Sequence, residues 1–108
     1  MAELDHDDAG LSFDLSEEHD GTPLVTVEGE LDMITAPELD SAVGPILARQ
    51  PSRLVIDASR LEFADSSAIA LLVTWANRVP EIEIRQPPEL LRRVIARMGL
   101  SDRLQVRP

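Results

Sequence analysis

Cysteine and lysine are both absent from this 108-residue chain, and its only aromatic residues are one tryptophan and two phenylalanines. Without cysteine there is no disulfide and no thiolate metal ligand, which fits a reducing compartment. With so few rings, a core has to be aliphatic, built from Leu, Val, Ile and Ala. No apolar run approaches the length that spans a bilayer. Met1 to Asp8 has neither a basic leader nor an apolar stretch, so no export signal is visible and a cytoplasmic protein is expected. Histidine occurs only at His6 and His19. There is no Gly-x-Ser-x-Gly, no dinucleotide loop and no Walker loop, and no acid stands at metal-ligand spacing from a histidine. A serine hydrolase needs a base and an oxyanion hole, and no base is in view. The chain is therefore expected not to be an enzyme and to use no cofactor or metal.

Positive charge is missing from one half. Residues 1–40 hold 13 of the 20 acidic residues and no basic one, within a formal net charge of −10. Residues 41–108 hold the other 7 acids and all 10 arginines, a balance of +3. An acidic half repels nucleic-acid phosphates and suits a partner with a basic face. Residues 1–10 read as a disordered, solvated acidic tail. Residues 11–108 read as one domain, long enough to bury a core.

Leu11 to Ser16 alternates like a half-buried strand, and His19-Asp20-Gly21-Thr22-Pro23 is a turn cluster. Leu24 to Glu30 gives a second strand, antiparallel to the first. Thr35-Ala36-Pro37-Glu38 reads as a helix start, with Thr35 as cap, Glu38 closing a capping box and Pro37 in the first turn. Leu39, Ala42, Val43, Ile46 and Leu47 form one apolar helical face, and Gly44-Pro45 predicts a kink in it. Arg53 to Asp57 is a short apolar strand, parallel to a neighbour, with Asp57 accepting backbone N–H groups at its end. A second helix is expected over residues 66–78. Ile69, Leu72, Val73 and Ala76 lie on one face of it, and Leu71 and Trp75 on another read as core. Glu81 to Ile84 alternates as a strand. Pro87-Pro88 opens a third helix, with Leu91, Val94, Ile95 and Met98 inward, Arg92, Arg93 and Arg97 outward, and Gly99 as its C′ residue. Leu104 to Val106 supplies a last short strand. The order predicts an α/β fold in which a small mixed sheet of four or five strands packs with about three helices.

Leu61 to Ala70 carries the chemistry. An apolar β-like segment ends in Asp65-Ser66-Ser67, and an unbroken apolar run follows. A hydroxyl there sits at a helix start, where unpaired N–H groups and a partial positive charge favour a phosphate. A plain N-cap role for Ser66 or Ser67 explains the same residues.

Four blocks in this order resemble the STAS family, and more narrowly its anti-sigma-factor antagonists. Val27-Glu28-Gly29-Glu30-Leu31-Asp32 with Thr35-Ala36-Pro37-Glu38-Leu39 is similar to the family's opening motif. Arg53 to Asp57 resembles its central strand. Phe63-Ala64-Asp65-Ser66-Ser67 resembles its phosphorylation loop, and Pro88 to Leu100 with Met98-Gly99-Leu100 its closing helix. The likeness covers roughly residues 11–106. It implies a single STAS-like domain that works by partner switching. Such a protein binds an anti-sigma factor that is also a serine kinase, releases the sigma factor, and is switched off by phosphorylation of the hydroxyl after the aspartate, here Ser66, with Ser67 the next candidate. A serine phosphatase resets it.

Glu30, Asp32, Asp65, Ser66, Ser67 and Ala68 are then the expected partner-binding residues, with no role for nucleic acid or membrane insertion. A phosphate on Ser66 would crowd negative charge onto the docking face without moving the backbone much. Asp32 reads equally as a turn residue. Two positions depart from the family pattern: Ala68 replaces a glycine, and Asn77 to Glu81 is shorter than the usual Gly-containing turn. The alternative reading is an accessory STAS subunit of a transporter, lipid-transport or stress-signalling complex whose hydroxyl loop is never phosphorylated.

Overall fold

Residues 10–108 are described in the computed structural model, so all of the expected acidic tail except Gly10 lies outside the described residues. Five strands lie side by side in chain order: β1 (Leu11–Glu17), β2 (Pro23–Leu31), β3 (Arg53–Ala64), β4 (Glu81–Arg85) and β5 (Leu104–Arg107). β1 and β2 form the antiparallel hairpin, and every later pairing is parallel. The parallel crossovers carry α1 (Ala36–Ala48), α2 (Ser66–Ala76) and α3 (Glu89–Arg97). Right-handed crossovers that always step in the same direction place each helix on the same face of the sheet.

Side-chain alternation matches that layout. Val25, Val27, Leu54, Ile56, Ile82, Ile84 and Leu104 join Leu39, Val43, Leu47, Leu72, Trp75, Leu91 and Ile95 in one aliphatic core. Trp75 is its largest fully buried side chain, and its indole Nε1 donates to Asp40 Oδ1 at 2.9 Å. The intervening residues of the strands point to the other face, which none of these three helices covers. There Glu83, buried in the middle of the sheet, pairs with Arg53, Arg85 and Arg107 from three neighbouring strands, and Arg85 reaches on to Glu18 at 2.7 Å. The hydrogen bond from Arg85 and the three guanidinium charges hold the Glu83 carboxyl below the usual range. The alternation of Glu81 to Ile84 reads as a strand and gives no sign that Glu83 is buried. Its burial follows from partners on three strands.

Several expectations change in detail. α1 runs on through Gly44-Pro45, where a kink is expected, to Ala48. The hydrogen bond that Pro45 cannot donate falls on the Ser41 carbonyl, and both residues are exposed, so water can satisfy it. Asp57 accepts the backbone N–H and the hydroxyl of Ser59 at 3.0 and 2.7 Å. It lies inside β3, however, because that strand continues to Ala64 with register shifts against β2. α2 stops at Ala76, short of residue 78, and the chain turns through Asn77 to Pro80 with Val79 buried. Met98 does not turn inward: it is 55% exposed, since α3 ends at Arg97 and Met98 caps it. Gly99 follows with φ +71 and closes the helix, its N–H meeting Ala96 O and that of Leu100 meeting Ile95 O.

Candidate functional site

β2 and β3 end side by side. Leu31 pairs with Ala64, and the Asp65 N–H then reaches Leu31 O at 3.2 Å. Two acidic turns therefore leave the same end of the sheet, one leading into α1 and one into α2.

In the first turn the Asp32 carboxylate accepts the N–H groups of Ile34 and Thr35 at 2.9 and 3.0 Å. Those bonds, Thr35 first, lower its pKa. Thr35 is fully buried; its hydroxyl accepts the Asp32 N–H and donates to Glu30 O, both at 2.9 Å. Thr35 stands at the expected N-cap position of α1, but its hydroxyl faces back into the turn and bonds no helix amide. The reversal pushes Met33 and Ile34 into solvent, 72% and 71% exposed.

In the second turn Asp65 is the N-cap of α2. Its backbone is extended, and its carboxylate accepts the Ser67 N–H at 2.8 Å. The cap is the acid and neither serine. Ser66 becomes the first helical residue with its side chain exposed, while Ser67 is half-buried. Ala68 packs into the core and offers no surface to a partner. Its φ is not positive, so the conformational freedom of a glycine is not needed there. Glu30, exposed, stands in register with Phe63, itself 49% exposed. On the other side of β2, Gly29 admits a close backbone approach. At φ +103 it lets Gly10 cross over, so that the Glu30 N–H meets Gly10 O at 3.1 Å.

Two hollows flank α2. One, of about 540 Å³, lies between α2 and α3, and Asp65 and Ser66 form one end of it. The other, of about 360 Å³, lies between α1 and α2, with Met33, Asp40 and Ser67 among its walls. The structure thus gathers Glu30, Asp32, Asp65, Ser66 and Ser67 at one sheet end and sets Ala68 beneath them. Sequence reasoning missed the exposed apolar residues around them: Met33, Ile34, Phe63 and Leu90. Met33-Ile34 carried a readable signal, two large apolar residues inside a turn and outside any helical or strand period. Among the described residues no cluster of acids and histidines is placed to hold a metal, and no helix is long and apolar enough to cross a membrane.

The family model described as "Mlab, STAS domain" matches residues 15–107. The chain is 33% identical over 87 residues to the anti-sigma-F factor antagonist RsfB of Mycobacterium tuberculosis, covering 78% of this chain and 71% of that protein. Its structure resembles the crystal structure of an anti-sigma factor antagonist from Mycobacterium paratuberculosis with a TM-score of 0.78 and 32% identity, covering 94% of this chain and 89% of that one. It resembles the phosphorylated form of the Bacillus cell fate determinant SpoIIAA with a TM-score of 0.73, covering 90% and 92%. At 19% identity that last likeness speaks for the fold alone.

Proposed function

The chain belongs to the STAS domain family, and on that premise we propose that it is an anti-sigma factor antagonist acting by partner switching in the cytoplasm. Residues 11–108 act as one domain that binds an anti-sigma factor with serine-kinase activity and frees the sigma factor. The observation that carries this reading is the exposed Ser66 hydroxyl, first in α2, directly after Asp65 and beside the Asp32 turn. The antagonist role of the Mycobacterium tuberculosis relative supports it.

Glu30, Asp32 and Asp65 give the docking face its negative charge, which suits a basic partner surface. Transfer of the γ-phosphoryl group of ATP to Ser66 Oγ, with ADP leaving and the hydroxyl proton passing to a base of the kinase, is the partner's chemistry. It adds about −1.5 to −2 charges and three acceptor oxygens at a helix start that tolerates anions. The fold therefore stays intact while the face becomes too costly to bury without a further cation. A serine phosphatase restores the hydroxyl.

The test is displacement. Added to a purified complex of a sigma factor and its kinase-type anti-sigma factor, the unphosphorylated protein should release the sigma factor on a sizing column. After treatment with kinase and ATP it should not. Failure of the untreated protein to bind any such anti-sigma factor of its source organism contradicts the proposal.

A further inference from the structure

The hollow between α2 and α3 is almost wholly apolar, although it opens to solvent. Its walls include Ile69, Ala70 and Val73 of α2, Leu90 and Val94 of α3, and Met98, which caps α3. Leu90 is 61% exposed and Met98 55%, large for apolar residues on a domain this small. Both helices return antiparallel to the parallel strands, so they run in the same direction. Ser66 therefore lies at the Leu90 end of the hollow and Val73 at the Met98 end. Leu90 to Met98 covers about 12 Å of helix axis, or two turns.

We infer that this groove receives an amphipathic helix of the anti-sigma partner, with its apolar residues against Leu90, Val94 and Met98 and a cation directed at Asp65. The inference rests on the docking role proposed above and deepens it. Continuity supports it, because Asp65 and Ser66 wall the groove and also belong to the acidic docking face. Dimension supports it, because two turns of groove match apolar anchors spaced i, i+3 or i+4, and i+7. Charge supports it as well. Asp65 stands at one end, while at the other Arg97 is exposed and makes no ion pair among the described residues. The occupant's helix should carry a base toward Asp65 and an acid toward Arg97. A phosphate on Ser66 then sits at the mouth of the groove, where it both obstructs the apolar anchors and forces a dianion to be desolvated.

The test compares three variants of the full chain, unphosphorylated, by titration calorimetry. The probes are the purified serine-kinase-type anti-sigma factors encoded in the source genome. Leu90→Asp puts a charge in the groove, Met98→Ser removes an anchor, and Leu15→Asp places the same charge on β1 at the far edge of the sheet. Leu90→Asp should weaken binding by about tenfold or more and Met98→Ser by about threefold, with Leu15→Asp within about twofold of the parent. Methyl resonances of Leu90 and Val94 should shift on binding in the parent. If Leu90→Asp lowers the melting temperature, Met98→Ser and the methyl shifts decide. Parent and groove variants binding alike, with no shift at those methyls, overturns the groove and leaves the antagonist reading standing. No binding by the parent overturns both.

Discussion

Replacing Gly29 by alanine should damage this protein more than its modest position near a strand end suggests. An ideal Cβ at residue 29 would stand 2.0 Å from Gly10 O and 3.2 Å from the Gly10 carbonyl carbon, and both belong to backbone. The φ of +103 is itself a conformation that side chains avoid. Holding alanine there costs about 1–3 kcal/mol. The clash is relieved only if the start of β1 moves off β2, which breaks the Glu30 to Gly10 hydrogen bond at about 1 kcal/mol. The total is about 2–4 kcal/mol, or a melting temperature lower by about 8–16 °C for a domain of this length. Gly21→Ala is the control. Its φ is +87, but nothing lies within 4 Å of its ideal Cβ, so it shares the conformational cost without the clash. Urea unfolding followed by fluorescence of the buried, single Trp75 reads both variants. The reasoning fails if Gly29→Ala costs no more than Gly21→Ala.

Two further outcomes are expected. Asp65→Ala leaves the Ser67 N–H without its cap and should lower stability by about 0.5–2 kcal/mol, with Asp65→Asn recovering most of it in thermal melts. The Glu83 carboxyl is held low in the folded protein by Arg85, Arg53 and Arg107, so its contribution is full above the unfolded pKa of about 4.3 and is lost as pH falls through the folded value. The melting temperature of the parent should consequently fall more steeply on acidification than that of Glu83→Gln, and equal slopes refute the pairing.

Elements decided by their own residues were legible. The alternation of β1 and β2, the apolar faces of α1 and α2, the stop at Gly99 and the mixed sheet all follow from local pattern. The meeting of Asp32 and Asp65 at one end of the sheet was legible too, because each acid stands where the pattern ends an adjacent β segment. What escaped depends on groups distant in sequence. Thr35 has the local look of a cap, yet its hydroxyl is drawn to Glu30 O by the way the turn folds back. Glu83 alternates like a surface residue, and only the pairing of β4 with β3 and β5 brings Arg53 and Arg107 to it. Met98 fits the inward period of α3, but a helix that ends one residue earlier leaves it on the rim of a groove whose other wall is α2. Periodicity assigns a residue to a face; it does not say whether another element arrives to cover that face.

The most direct measurement is the site of phosphate transfer together with its effect on binding. The protein, Ser66→Ala and Ser67→Ala are each incubated with the partner kinase and ATP, weighed intact, mapped by peptide, and passed over the immobilised partner with ADP. The account predicts one phosphate on the parent and on Ser67→Ala, none on Ser66→Ala, and loss of retention only where phosphate is present. Phosphate on Ser66→Ala, or a phosphorylated parent that is retained as before, contradicts it.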